Sequence, residues 1–300
     1  MQTHQTKAYL YTGAAVLLWS TVASAFKIAL RELDYIQLLF FASMVSLVSL
    51  FMALLVQGKI ALLRQSTKRQ LLHSMLLGLI NPTLYYLVLF RAYDLLPAQE
   101  AQPLNWTWPI MLSILSAPLL KQKLTIRTII AIVISFSGVI LIATRGNVIA
   151  LRFTSLTGDL LAIGSSVLWA LFWIFNLRDR RDPTVRLFLC FLFGNIYNLV
   201  VMALLSGFTL PTLTGFAGGA YVGLFEMGIT FVIWLKALSL SKDSASVGIM
   251  AYITPFLSLI FIHFILGETI LVTSVLGLGL IVAGILLQMK PKAVIKGSVL

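Results

Sequence analysis

Acidic side chains number only ten in this 300-residue chain, against 22 Lys and Arg, and there are three histidines and one cysteine. A lone Cys190 excludes an intramolecular disulfide and any cysteine metal cluster. The scattered His4, His73 and His263 form no metal-ligand spacing, so neither metal nor cofactor is expected. Enzyme motifs are missing as well: the chain has no G-x-S-x-G, no H-E-x-x-H and no G-x-x-x-x-G-K. No apolar segment places a Ser beside a Lys or His, or two Asp together, at its centre, as intramembrane hydrolysis would require. The chain therefore reads as a non-enzyme, and without a nucleotide domain it is no ATP-driven pump by itself.

What the sequence has in excess is apolar. Hydrophobic residues make up 59% and charged residues 11%, with a mean hydropathy of +0.98. A globule of this length cannot cover its surface with so few polar groups, so the chain belongs in lipid. A hydrocarbon core of roughly 30 Å needs about 20 apolar residues per helix. Ten such segments are read at 8–30, 35–57, 70–91, 99–120, 125–144, 156–177, 184–205, 214–236, 244–266 and 269–289. The alternating ten-residue strands of a membrane barrel are absent. The motif Val22-Ala23-Ser24-Ala25 follows an apolar run, as a signal-peptidase site would. Cleavage there would delete the partner of the sixth segment, so the first segment is read as a retained span.

That partnership comes from an internal duplication. Gly78, Asn81 and Ala92 recur 145 residues later as Gly223, Glu226 and Ala237, and Pro109 and Gly138 recur 146 later as Pro255 and Gly284. The halves 1–145 and 146–300 hold five segments each, an odd number, so the second copy must enter the membrane inverted. The expected fold is an all-α integral membrane protein of ten transmembrane helices in two inverted five-helix repeats. In such carriers the substrate site lies near the midplane between the copies.

A net charge of +12 invites a nucleic-acid reading, but the placement of the basic residues argues otherwise. With a cytoplasmic N-terminus, the inner side holds Lys7, Lys59, Arg64, Lys68, Arg69, Lys121, Lys123, Arg127, Arg178, Arg180, Arg181, Arg186, Lys236, Lys242, Lys290, Lys292 and Lys296, or 17 of 22. Only Lys27, Arg31, Arg91, Arg145 and Arg152 fall outside. This is the positive-inside bias of a multi-pass protein, and it places both termini in the cytoplasm. It accounts for the basicity with no basic module left over to bind nucleic acid.

Candidate site residues are the polar and aromatic groups at mid-span. Glu226 is the only carboxylate near the centre of a segment, where insertion costs roughly 2.5–3.5 kcal/mol. It either lines an aqueous path, charged or protonated, or serves packing alone as a neutral acid or a hydrogen-bonded brace between helices. Asn81 holds the equivalent place in the first half, and Pro82 after it removes a backbone donor. By the 3.6-residue period Gly78, Asn81 and Tyr85 share one face, as do Gly223, Glu226 and Thr230. Trp106, Trp108 and Pro109 match Tyr252, Thr254 and Pro255, an aromatic three residues before a proline in each copy. Trp19 and Trp169 pair at a shift of 150, with Trp173 one turn beyond Trp169. Central aromatics suit either a flat apolar ligand or helix packing. Asn105, Asn195, Asn198, Gln99 and Gln102 either bind a polar ligand or bridge helices, and Lys27 reads as a residue snorkelling to the outer surface. The substrate-binding set is thus Trp19, Asn81, Tyr85, Asn105, Trp106, Trp169, Glu226 and Tyr252, with Pro82, Pro109 and Pro255 as hinges.

The five-plus-five duplication, the segment Ala245 to Glu268 with Tyr252-Ile253-Thr254-Pro255 and Leu266-Gly267-Glu268, and Gly277 and Gly284 in the last span resemble the drug/metabolite transporter superfamily, specifically its EamA-type ten-helix carriers. The first copy departs from the pattern, with Leu120-Lys121-Gln122 in place of Leu-Gly-Glu and Asn105-Trp106-Thr107-Trp108-Pro109 before the proline. The Trp-rich fourth span and the length look like the YddG-type exporters of aromatic amino acids. The resemblance implies a monomeric bacterial inner-membrane secondary transporter that exports amino acids, aromatic or large apolar ones above all, by alternating access. Helices three, four, eight and nine would line the cavity while one and six rock against them. Export of another metabolite or a cationic drug is the alternative, and there Glu226 would dominate selectivity.

Overall fold

The computed structural model describes residues 2–121, 125–176, 179–241 and 244–288. Gln122, Lys123, Arg178, Lys242, Lys290, Lys292 and Lys296, which entered the motif and charge patterns, lie outside the described residues. Every element among the described residues is helical. Each of the ten apolar stretches contains helix: α1 Gln2–Ala29, α2 Tyr35–Val56, α3 Lys68–Leu95, α4 in two pieces Ala98–Asn105 and Trp108–Leu120, α5 Ile126–Ala143, α6 Leu156–Asn176, α7 Pro183–Leu205, α8 Leu213–Leu240, α9 in pieces Ser244–Ala251 and Thr254–Phe261 prolonged by Ile262–Leu266, and α10 Val272–Gln288. Among the described residues, eight helices are long and apolar enough to cross a membrane, and α10 is a shorter apolar helix. α4 is not among them. Large apolar side chains stay exposed on the outer faces of α2, α5 and α7, among them Val48, Met52, Ile129, Val133, Leu199 and Leu204. In lipid that exposure carries no hydrophobic penalty.

Helix starts follow ordinary capping chemistry. Asp34 Oδ1 accepts from the Ile36 and Gln37 amides to open α2, and Asp182 Oδ1 accepts from Thr184 and Val185 to open α7. These two aspartates are 148 residues apart. Thr67 and Gln70 close a capping box at α3, and Thr125 and Thr212 cap α5 and α8. Each satisfies amide donors that the first helical turn leaves free.

The packing pairs elements across the two halves. α2 lies against α7 and α5 against α10, while α1 packs on α8 and α9 and α6 packs on α3 and α4. Contacts of α7 with α3 match those of α2 with α8. Glycine permits the closest approaches. A Cβ on Gly78 would stand 2.5 Å from the Cys190 carbonyl oxygen of α7, and one on Gly223 would stand 2.3 Å from the Ala42 carbonyl oxygen of α2. Small residues let membrane helices meet at backbone distance, where dispersion replaces the hydrophobic effect as the driving force.

Both long helices α3 and α8 widen at mid-length, over Leu79–Leu84 and Gly223–Gly228. In the first, Asn81 is extended at φ −143° and ψ 119° ahead of a cis Asn81–Pro82 bond. In the second, Gly228 sits at φ −107° and ψ −99°. A widened turn inserts a residue into the helical register, so residues on either side no longer share the face that a 3.6 period assigns them. α4 breaks at Trp106-Thr107 and α9 at Tyr252-Ile253. Pro109 and Pro255 each lie in the first turn of the following piece, where a missing N–H goes unmissed.

Candidate substrate cavity

A cavity of about 130 Å³ lies between α1, α3, α4, α6, α8 and α9. All six tryptophans of the chain line it: Trp19, Trp106, Trp108, Trp169, Trp173 and Trp234. Tyr85, Tyr93, Phe26 and Phe231 complete the aromatic wall, and Gln102, Asn105, Thr254 and Glu226 supply the polar positions. The rings brace one another. Trp19 lies 5.8 Å from Phe231 and 5.4 Å from Trp234, and Trp169 lies 4.7 Å from Tyr85 and 5.9 Å from Trp173. Such tilted and edge-on pairs hold aromatic side chains in fixed rotamers without stacking their faces shut.

Glu226 reaches this space because the widened turn of α8 turns it inward. Tyr86 Oη donates to its Oε1 at 3.1 Å, and Trp19 Nε1 donates to its backbone oxygen at 3.3 Å. Tyr86 is fully buried and so a fixed donor. Asn105 is held on both ends, with Nδ2 donating to Ser165 Oγ at 2.8 Å and Oδ1 accepting from Tyr85 Oη at 3.4 Å. Thr107, in the α4 break, donates to Ser166 Oγ at 3.0 Å. The broken helix is thereby pinned to α6.

Of the residues singled out from sequence, Trp19, Tyr85, Asn105, Trp106, Trp169 and Glu226 converge on the cavity. Asn81 does not line it: its side chain is wholly buried, and both polar atoms lack a partner among the described residues. Pro82 packs on α7, where a Cβ on Gly194 would stand 2.5 Å from the proline Cδ. Tyr252 stands one layer out, its ring 6.4 Å from Trp106. Gly78 and Gly223 face neighbouring helices, and Thr230 is buried with its hydroxyl on the Phe225 carbonyl, five residues back across the wide turn. The even face drawn through Gly223, Glu226 and Thr230 fails because the turn between them is not of 3.6 residues. Helices α1 and α6 also contribute walls, through Trp19, Val22, Ala23, Phe26, Trp169 and Trp173. The signal that could have found Trp234 is that it is a further tryptophan within an apolar segment. Phe26 and Phe231 carry no distinguishing sequence signal.

Where α1 and α3 end and α4 begins, the chain is latched. Glu268 accepts from the Ala98 and Gln99 amides at the start of α4, at 2.9 and 3.2 Å. Gln99 in turn donates to the Thr269 carbonyl and accepts from the Leu271 amide, both at 2.9 Å. Lys27 Nζ donates to the Tyr93 and Leu96 carbonyls, at 2.7 and 3.1 Å. Among the described residues no group of three His, Cys, Asp or Glu could hold a metal ion.

An all-helical, lipid-compatible bundle around an aromatic cavity is the architecture of a membrane transporter. The model of the EamA-like transporter family matches residues 6–144 and 156–289, and the chain belongs to that family. It is accordingly a multi-pass membrane transporter and not an enzyme. An uncharacterized transporter of Archaeoglobus fulgidus is 28% identical over 87% of this chain and 90% of its own. The uncharacterized transporter YoaV of Bacillus subtilis is 22% identical over 94% and 96%. A solved crystal structure aligns with a TM-score of 0.67 over 94% of this chain and 96% of that one at 22% identity, a likeness of fold alone.

Proposed function

We propose that this protein is an alternating-access secondary transporter that exports small organic solutes with a large flat apolar body and an amino group, aromatic amino acids among them, in the manner of the YddG-type exporters it resembles. The observation that carries the reading is the convergence of all six tryptophans and one carboxylate on a single internal cavity. Tryptophan in membrane proteins ordinarily gathers at the two interfaces. Its concentration around an internal space supports a ligand that needs aromatic faces.

The same reading takes the ten helices as ten spans in two inverted copies, 1–145 and 146–300. Support comes from the two stretches matched by the family model and from helix contacts that repeat when each helix is exchanged for the one five places on. Paired wide turns at Asn81 and Glu226 and paired breaks before Pro109 and Pro255 are the positions where rigid pieces would pivot. The charge distribution supports both termini in the cytoplasm of a bacterial cell, with a monomer as the working unit, since one chain encloses the whole cavity.

Efflux of radiolabelled solutes from proteoliposomes tests this. Trp106→Leu and Trp169→Leu should each weaken half-saturation for an aromatic solute by roughly threefold to tenfold, the loss of stacking worth about 0.5–1.5 kcal/mol. A small solute such as alanine should be unaffected. Equal losses for both would mean damaged packing and would remove the case for an aromatic site.

A further inference from the structure

The cavity holds an acid and no base. Glu226 is its carboxylate, and among the described residues that line it there is no Lys, Arg or His. Lys27 touches the backbone of one lining residue, Tyr93, but its ammonium is spent on the Tyr93 and Leu96 carbonyls and faces a separate outer cavity beside Asp94 and Glu268.

The charge balance of the lining favours a positive ligand, although several neutral indole and amide donors also face the space. Asn105 is engaged at both ends, the Trp19 indole N–H is held by the Glu226 carbonyl, and the Tyr86 hydroxyl is held by the Glu226 carboxylate. Gln102 Oε1 is buried without a partner among the described residues and can accept from a ligand, while its amide nitrogen can donate. Trp173 Nε1 and Thr254 Oγ1 are also unpartnered there, but a neutral donor cannot balance a full negative charge in a site of low polarity. An ammonium group, by contrast, meets Glu226 in a charge-assisted hydrogen bond and the tryptophan faces in cation–π contact. A ligand carboxylate meets a like charge and no counter-ion.

Resting on the transport reading above, we propose that the cavity selects aromatic or large apolar amines of net positive charge over the corresponding zwitterionic amino acids. The carboxylate of an amino acid meets no opposite charge among the described lining residues, which weakens its binding without barring it.

Calorimetric titration of the purified chain in nanodiscs tests this at pH 7 with matched pairs: tryptamine against tryptophan, 2-phenylethylamine against phenylalanine. Phenylalanine methyl ester, whose carboxylate is masked while its size is kept, separates charge from bulk. Both amines and the ester should bind at least about tenfold more tightly than the free amino acids, and Glu226→Gln should shrink that preference to near unity. The wild-type comparison stands without the variant. Amino acids binding as tightly as amines, and moving in proteoliposomes, would overturn the charge selection while leaving the transport reading intact. If neither class bound, both readings would fall.

Discussion

At the scale of single residues, identical chemistry serves packing or ligand according to where the backbone turns it. Gly78 and Gly223 occupy equivalent places and do equivalent work, letting α3 onto α7 and α8 onto α2 at carbonyl distance. Alanine at 223 would put its Cβ 2.3 Å from the Ala42 oxygen and 2.8 Å from the Val45 Cβ, so α8 would have to back away. We expect Gly223→Ala to cost about 1–3 kcal/mol and to lower the melting temperature in detergent by several degrees. Gly164→Ala is the control, since a Cβ there meets nothing within 4 Å, and its stability should hold or rise slightly. Equal behaviour of the two variants would mean the approach at Gly223 can relax freely.

At the scale of elements, the loop between α6 and α7 clasps the cytoplasmic start of α3, taking the proposed orientation. Arg181 donates to Ser74 Oγ at 2.7 Å, to the Gln70 carbonyl at 3.2 Å and to Ser66 Oγ at 3.3 Å, and pairs with Asp179 at 2.6 Å. Lys59, after α2, pairs with Asp182 at 2.7 Å. The loop between α1 and α2 makes the matching contacts at the other end, where Glu32 accepts from Thr212 at 2.8 Å and Asp34 accepts from Ser206. Burial pushes the Asp179 carboxyl up, but the hydrogen bonds and charge of Arg181 outweigh it and hold it below its ordinary 3.8. Asp182 is likewise lowered against its burial, chiefly by Lys59 and the amides it caps. A depressed carboxylate stabilises the fold above its unfolded value, and that stability is lost as pH falls through the folded one. Melting temperature should therefore drop as pH falls below about 4. Arg181→Gln leaves Asp179 buried without its cation and should cost about 3 kcal/mol at neutral pH. It should also flatten the acid limb of a melting-temperature profile. An unchanged limb would assign acid lability elsewhere.

At the scale of the molecule, the latch between the starts of α4 and α10 is the contact that the proposed alternating access would break on the proposed outer side. Gln99 of α4 and Thr269 before α10 are joined directly in this structure. Gln99→Cys with Thr269→Cys, on a Cys190→Ser background, can be bridged by a short reducible bis-methanethiosulfonate. The bridge should hold the outer side shut and stop efflux, and reduction should restore it. Full efflux with the pair quantitatively bridged would rule out opening at this face. Cys190 must be replaced because it is the one native thiol, although it is buried.

The class of this protein was determined by its sequence alone, because hydropathy and charge placement are summed over whole segments and survive any local irregularity. Helix positions followed within a few residues for the same reason, and part of the cavity's aromatic lining did too, through Trp19, Tyr85, Trp106 and Trp169. Only the tertiary structure decided which polar residues meet. Asn81 and Glu226 stand 145 residues apart, each in the wide turn of its helix, yet Asn81 is closed off beside α7 while Glu226 opens onto the cavity. That difference comes from two widened turns with different backbone angles, one at Asn81-Pro82 and one ending at Gly228. A 3.6-residue period cannot carry an inserted residue, so every face drawn across those turns was wrong by about a quarter of a rotation. That no Lys, Arg or His among the described residues lines the cavity with Glu226 was equally out of reach. It depends on six helices coming together, and no one of them records what the others bring.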